Sequence, residues 1–203
     1  MSLAGPRRRA IYSDREDPPM NHRMNRRQFA ALLAATAAMP PASRAGQASA
    51  HDFAFDDIDE AGELRLADFA GRPVLVVNTA SRCGYTYQYD ALQALYDRYR
   101  DRGLVVLGVP SDDFNQELAS AAEVKDFCAV NFAIDFPMTT ITPVSGAGAH
   151  PFYRWAAERA GAPRWNFHKY LVGPDGQLVA AFPTKTEPDA SEVTRAIEAL
   201  LGG

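Results

Sequence analysis

One stretch of the 203-residue sequence decides the fold: Val74-Leu75-Val76-Val77-Asn78-Thr79-Ala80-Ser81-Arg82-Cys83-Gly84-Tyr85. Its first half is a short apolar, β-branched run, which predicts a strand buried on both faces of a sheet. Apolar residues then recur at three- and four-residue steps from Tyr89 to Tyr99, which predicts an amphipathic helix that follows Cys83 and stops at Gly103. Cys83 is therefore expected where the strand meets the helix, and the N–H groups of a helix's first turn favour a thiolate there.

The chemistry of Cys83 has two interpretations. A lone cysteine is more often a small buried apolar residue, but the position of Cys83, and Gly84 beside it, favour a reactive thiol that a substrate can approach. The only other cysteine is Cys128. The two lack the Cys-x-x-Cys spacing of a dithiol oxidoreductase and are too few for a zinc cluster. No set of His, Asp and Glu residues has the spacing of metal ligands, so no metal site is predicted.

The N-terminal segment has the layout of an export signal. Asn25-Arg26-Arg27-Gln28-Phe29 precedes an Ala-rich apolar run that is too short to span a bilayer, and Ala48-Ser49-Ala50 follows. We interpret residues 1–50 as a disordered leader with a twin-arginine type of signal peptide in residues 24–50, cleaved after Ala50. This predicts a periplasmic or otherwise exported bacterial protein with no stable membrane insertion after cleavage. The alternative is an amphipathic surface helix, which the lack of a charged face disfavours.

The charge of the chain is divided unevenly. Its first 50 residues hold eight of the 21 basic residues and three of the 25 acidic ones, so residues 51–203 carry a net charge of −9. An acidic domain of this kind is not expected to bind nucleic acid or an anionic membrane surface.

Residues 51–203 read as one α/β domain. A second apolar strand covers residues 104–109, and helices are predicted over residues 121–130 and from Pro151 onward. An extended piece is expected over residues 132–138. A hairpin turns at Gly173-Pro174-Asp175-Gly176, and a last helix follows. Parallel crossovers together with a terminal antiparallel hairpin predict a thioredoxin-like fold, with a central mixed sheet flanked by helices.

Four segments of the domain, in their order and separation, resemble the glutathione peroxidase family: residues 78–84, Val109-Pro110 with Gln116-Glu117, residues 135–138, and residues 165–171. The resemblance covers about residues 52–202. It implies a peroxidase whose reactive centre combines a cysteine or selenocysteine with Gln, Trp and Asn, here Cys83, Gln116, Trp165 and Asn166. The loop before Gln116 is one residue shorter and more acidic than the family's usual pattern.

This set of residues suits peroxide chemistry. A thiolate is the attacking species, and a thiol with an unperturbed pKa of about 8.5 is only a few per cent ionised at neutral pH. The side chains of Gln116, Trp165 and Asn166 are neutral N–H donors, which could stabilise charge on sulfur without forming an ion pair. The same donors could hold the peroxide oxygens and the leaving alkoxide or hydroxide.

The resemblance also implies how the cysteine is recycled. Cys128 matches the resolving cysteine of thioredoxin-dependent members, which would capture a Cys83 sulfenic acid as a disulfide. The alternative is that Cys128 is an ordinary residue of the apolar core. The implied partners are a hydroperoxide and, as reductant, a thioredoxin-like protein or glutathione, with no prosthetic cofactor. The short segment before Trp165 resembles that of monomeric members. A peroxide sensor or thiol-oxidation relay remains the alternative function, and a copper-delivery protein is disfavoured because no Cys-x-x-x-Cys is present.

Overall fold

The structure of this chain, a computed structural model, describes residues 48–59 and 62–202. The predicted leader, residues 1–50, and its signal core, residues 24–50, therefore lie outside the described residues except for the last three positions. Among the described helices, none is long and apolar enough to cross a membrane.

A four-stranded sheet forms the centre of the domain, and helices pack on it. In chain order the elements are β1 (Ala54–Asp56), β2 (Glu63–Arg65), β3 (Val74–Thr79), α1 (Gln88–Tyr99), β4 (Val105–Pro110), α2 (Ala121–Phe132), α3 (Pro151–Ala160), β5 (Lys169–Val172), β6 (Leu178–Phe182) and α4 (Ser191–Leu201). The sheet order is β4-β3-β5-β6, in which β3 and β4 run parallel and β5 is antiparallel to both β3 and β6. β1 and β2 form a separate antiparallel hairpin. The predicted mixed sheet flanked by helices is confirmed.

Both faces of the sheet are buried, as the continuous apolar runs predict. In β3, Leu75 and Val77 pack with residues of α1, α2 and α4, while Val74 and Val76 pack with α3 and the β1–β2 hairpin. Successive side chains of a strand point to opposite faces, so a strand with two apolar faces has to lie inside the sheet. Every residue of β3 and β4 is buried, including the polar residues at the end of β3.

The helix after Cys83 begins where its apolar pattern begins, and not directly after the cysteine. α1 starts at Gln88, and residues 84–87 form consecutive tight turns. Two hydrogen bonds between Thr86 and Cys83 close this segment into turns. The Thr86 N–H donates to the carbonyl of Cys83, and the Thr86 hydroxyl oxygen accepts the N–H of Cys83. Cys83 therefore lies between β3 and α1 as predicted, but four residues separate it from Gln88, so it is not at the first turn of that helix.

Two other boundaries also differ from the predictions. α2 continues to Phe132, so the extended piece that follows it is shorter than predicted and pairs with β4 only through a parallel bridge between Met138 and Gly108. α1 ends at Tyr99, and a short 3-10 turn carries the chain to Gly103, whose φ of 107° suits glycine. The predicted end of this helical region is thus close to the observed one.

The residues around the predicted cleavage site pack against the domain. Ala50 is fully buried, and its N–H donates to the carbonyl of Gly176 at 2.8 Å. The indole N–H of Trp155 donates to the carbonyl of Ala48, also at 2.8 Å. Residues 48–50 are therefore part of the folded unit, ahead of the domain start predicted at His51.

Candidate active site

The carboxyl ends of β3 and β4 bring two loops of the predicted site to one edge of the sheet. The last residues of these parallel strands, Thr79 and Pro110, are paired in register. Cys83 follows β3 and Gln116 follows β4. The N–H of Arg82 donates to the carbonyl of Gln116 at 2.8 Å, so a backbone hydrogen bond fixes Gln116 beside the residue that precedes Cys83.

The Cys83 thiol lies close to the surface, with 7% of the residue exposed. Its Sγ accepts a hydrogen bond from the N–H of Tyr85 at 3.4 Å. This contact comes from an amide of the turn that follows the cysteine and not from the first turn of a helix.

The side chains of Gln116 and Asn166 meet directly, although their residues lie 50 positions apart in the chain. The Asn166 side-chain NH₂ donates to Oε1 of Gln116 at 3.1 Å. Asn166 is fully buried, and its Oδ1 has no hydrogen-bond partner among the described residues. This arrangement leaves the Gln116 NH₂ free to donate to a bound group.

The acidic residues of the shortened loop hold Gln116 in place. Asp112 Oδ1 accepts the N–H of Glu117 at 3.0 Å, and its carbonyl accepts the N–H of Asn115 at 2.8 Å. Asp113 Oδ2 accepts the N–H groups of Val144 and Ser145 at 2.6 and 2.7 Å. The acidity of this loop is therefore structural, because both carboxylates cap backbone donors.

Trp165 is the most exposed of the four predicted site residues, at 39%. Its ring packs against Phe114, with centroids 5.3 Å apart and planes inclined by 43°. Phe114 belongs to the same loop as Gln116, so the tryptophan covers the loop that carries the glutamine. The indole N–H donates to none of the described residues.

Asn78, at the end of β3, organises the segment that carries Trp165 and Asn166, and it was not predicted as a site residue. Its side-chain NH₂ donates to the carbonyl of Trp165 and its Oδ1 accepts the N–H of His168, both at 3.1 Å. Its backbone carbonyl also accepts the N–H of Phe167 at 2.6 Å. The sequence did contain a signal for this role, namely a polar residue at the end of an apolar strand. A buried amide side chain must find hydrogen-bond partners, so such a residue is expected to anchor a neighbouring segment.

Glu117 is a second residue that sequence reasoning did not assign to the site. Its Oε1 accepts the N–H groups of Ser81 and Leu118 at 2.9 and 2.8 Å, so it braces the chain two residues before Cys83. Burial raises the pKa of the Glu117 carboxyl, and these hydrogen bonds partly offset the rise. In the sequence, only the position of Glu117 next to Gln116 indicates that this carboxyl group belongs to the site.

Cys128 is buried on α2 and belongs to the same apolar cluster as Cys83. Both cysteines are free thiols. Burial raises the pKa of the Cys128 thiol to about 11; the hydroxyl of Tyr89 opposes this rise and the carboxylate of Glu117 adds to it. Cys128 is therefore an un-ionised thiol at neutral pH, unlike a thiol prepared for attack.

A cavity of about 670 Å³ lies beside the Trp165 segment and does not include the cysteines. Arg164, His168 and Lys185 are among its lining residues, and Cys83 and Gln116 are not. Across residues 48–59 and 62–202, no group of three or more His, Cys, Asp and Glu residues is arranged to hold a metal ion.

Comparison with known proteins identifies the domain. The glutathione peroxidase family matches residues 50–157. A "Glutathione peroxidase" of Lactococcus lactis is 40% identical over 135 residues, which covers 64% of this chain and 86% of the relative. A "Hydroperoxy fatty acid reductase gpx1" of Synechocystis is 39% identical over 150 residues, with 68% and 88% covered.

Solved structures share the fold. GPX1 of T. cruzi has a TM-score of 0.61 at 30% identity and covers 77% of this chain and 98% of its own. A thiol:disulfide interchange protein of the thioredoxin family from Chlorobium tepidum has a TM-score of 0.54 at 17% identity, with 74% and 93% covered, which confirms the thioredoxin-like fold. With the family match and the curated relatives, these similarities make the chain a member of the glutathione peroxidase family, a thiol peroxidase that uses a thiol as co-substrate.

Proposed function

We propose that Cys83 is the peroxidatic residue of this enzyme. Its thiolate attacks one oxygen of a hydroperoxide and breaks the O–O bond, so that sulfur is oxidised to a sulfenic acid and the peroxide leaves, after protonation, as an alcohol or water. The amides of Gln116 and Asn166 and the indole N–H of Trp165 stabilise the oxygen that takes up negative charge.

The observation that carries this proposal is the set of backbone ties around one nearly buried sulfur. The Tyr85 N–H points at Cys83 Sγ, and the Arg82 N–H donates to the backbone carbonyl of Gln116. The Gln116 side-chain Oε1 in turn accepts the side-chain NH₂ of Asn166. The donors are thus held in position before substrate arrives, which is the condition under which such groups lower a reaction barrier.

The second step of the proposal assigns the resolving role to Cys128. Its thiol condenses with the Cys83 sulfenic acid, which forms the disulfide and releases water. Because α2 holds Cys128 in the core with a pKa of about 11, this step requires α2 to open locally and bring the sulfur to Cys83 and to water. A disulfide needs its two Cα atoms within roughly 4.4–6.8 Å, and local opening of a single helix is a low-energy event compared with global unfolding.

The proposed cycle ends with a thiol reductant. A thioredoxin-like protein, or glutathione, reduces the Cys83–Cys128 disulfide, so that one hydroperoxide and two thiol groups give an alcohol, water and one disulfide. Hydrogen peroxide and organic hydroperoxides are the proposed substrates, and the name of the Synechocystis relative adds hydroperoxy fatty acids to the candidates. We propose that the enzyme acts as a monomer.

Export to the periplasm is part of the proposal and depends on residues 24–50. The contacts of Ala48 and Ala50 with the domain favour cleavage ahead of Ala48 over cleavage after Ala50. N-terminal sequencing of the exported protein tests the position directly, and recovery of the chain only in the cytoplasm with its leader attached would contradict export.

Steady-state turnover of hydrogen peroxide with a thioredoxin and its reductase tests the enzymatic proposal. We expect many turnovers for the wild type, none for Cys83→Ser, and a stalled, single-turnover sulfenate for Cys128→Ser. Mass spectrometry after one equivalent of peroxide should show a Cys83–Cys128 disulfide in the wild type. Turnover in Cys83→Ser would refute the assignment, and stoichiometric oxidation without turnover would favour a sensor or relay.

A further inference from the structure

Lys169 is a fully buried lysine in β5 whose three N–H groups are all used. Its Nζ donates to Oε1 of Gln88 at 2.6 Å, to the carbonyl of Phe167 at 2.9 Å and to the carbonyl of Thr186 at 2.6 Å. Lysine almost never lies fully inside a protein unless its charge is compensated. Here neutral oxygens satisfy the ammonium group, and no carboxylate is within ion-pair distance among the described residues.

Two of the three acceptors belong to segments that carry predicted site residues. Gln88 is the first residue of α1, the helix that follows the Cys83 turn. Phe167 follows Asn166 and has a φ of +61°, a left-handed conformation that is costly for a bulky residue. The carbonyl that Lys169 holds therefore belongs to the strained residue next to a proposed oxyanion donor.

A second route connects the same network to Asn166. The side-chain NH₂ of Gln88 donates to the carbonyl of Thr184, and the hydroxyl of Thr184 donates to the carbonyl of Asn166, both at 2.8 Å. The ammonium group thus fixes the carbonyl of Phe167 directly and the carbonyl of Asn166 through Gln88 and Thr184. Asn78 holds the opposite side of the same turn.

We propose that Lys169 is a positioning residue for the peroxide reaction: its ammonium group, bonded to Gln88, Phe167 and Thr186, locks the turn that presents Trp165 and Asn166 and ties it to the start of α1. This rests on the proposed role of Cys83. Lys169 does not touch the reacting atoms, and it acts through the placement of the donors around them.

The proposal has a consequence for pH dependence. A neutral amine keeps two N–H groups and turns a lone pair toward the third oxygen, so deprotonation breaks one contact of the network. Burial lowers the pKa of Lys169 to about 8, while the carboxylate of Glu187 opposes this shift. The other charged or titratable groups around it are His168, whose pKa is itself lowered to about 4, and Tyr87, whose hydroxyl bonds Glu187. Since His168 is neutral near pH 8, Lys169 is the group of this network that loses its charge there.

Stopped-flow measurement of Cys83 oxidation by hydrogen peroxide, followed by tryptophan fluorescence from pH 6 to 10, tests the proposal. The rate constant is expressed per Cys83 thiolate, whose fraction is measured in parallel by ultraviolet absorbance, because ionisation of a thiol nucleophile by itself speeds the reaction as the pH rises. We expect this wild-type rate constant to fall above about pH 8. Lys169→Met, which keeps an unbranched side chain without the charge, should react at least about tenfold more slowly at pH 7 and lose the decline above pH 8. Lys125→Met makes the same change of charge at an exposed lysine paired with Asp59 and should stay within about twofold of the wild type.

A folded Lys169→Met variant that reacts within about twofold of the wild type, or that keeps the decline above pH 8, would overturn the proposal. Should that variant not fold, the wild type alone tests the proposal. The NMR signal of the Lys169 side chain must then titrate at the midpoint of the rate decline, and a difference of more than about one pH unit between the two midpoints would overturn the proposal. An error in the role of Cys83 is distinguishable, because the wild type would then show no peroxide-dependent oxidation at Cys83.

Discussion

Replacing Asn78 by alanine is expected to destabilise the domain strongly. Asn78 is fully buried, and its amide satisfies the carbonyl of Trp165 and the N–H of His168. Asn78→Ala leaves both part-buried groups without a partner, at about 1–3 kcal/mol each, so the free energy of unfolding should fall by about 2–6 kcal/mol. Peroxide oxidation of Cys83 should also slow by about tenfold or more, because the turn that carries Asn166 loses its anchor.

Thr79 provides the matched control, since it is the next residue of β3 and is equally buried, but its hydroxyl has no hydrogen-bond partner among the described residues. Thr79→Val should change the free energy of unfolding by less than about 1 kcal/mol, because it removes a hydroxyl without stranding another group. Urea unfolding at pH 7, followed by tryptophan fluorescence, measures both variants. If Asn78→Ala costs no more than Thr79→Val, the anchoring role is refuted.

Two further predictions concern stability. Burial lowers the pKa of His168 to about 4, whereas an ordinary His in the unfolded chain has a pKa of about 6.5. The unfolded chain therefore binds the proton first, and the free energy of unfolding decreases as the pH falls from about 6.5 to 4. After allowance for solvent screening, this decrease is about 2 kcal/mol. His168→Phe should remove that part of the difference between urea unfolding at pH 7 and at pH 4, and an unchanged difference would contradict it. A chain that starts at His51 lacks the buried Ala50 with its hydrogen bond to Gly176, and it also lacks the hydrogen bond between Trp155 and Ala48. Its free energy of unfolding should therefore be about 2–3 kcal/mol lower than that of a chain that starts at Ala48. Equal stability of the two chains would show that residues 48–50 contribute nothing.

Local patterns in the sequence were sufficient for the strands and for most helices, because β3 and β4 are continuous apolar runs and the helical faces repeat regularly. The turns between Cys83 and α1 could not be predicted in this way. The turns over residues 84–87 depend on the hydroxyl of Thr86, which binds the backbone of Cys83, and no periodicity reports such a bond. The expectation that Gln116 and Asn166 share one site came from the family resemblance, whereas their direct hydrogen bond and the anchoring by Asn78 and Lys169 depend on tertiary contacts between distant segments.

Backbone strain occurs where the two amide side chains of the site are presented. Of the three non-glycine residues with positive φ in the described part of the chain, Asn115 (55°) precedes Gln116 and Phe167 (61°) follows Asn166. The third, Ala133, only ends α2. A left-handed conformation costs of order 1–3 kcal/mol and persists only where surrounding contacts impose it. Hydrogen bonds to buried side chains and to the acidic loop supply those contacts, so the fold maintains strain next to both amides in order to bring Gln116 and Asn166 together beside the Cys83 turn.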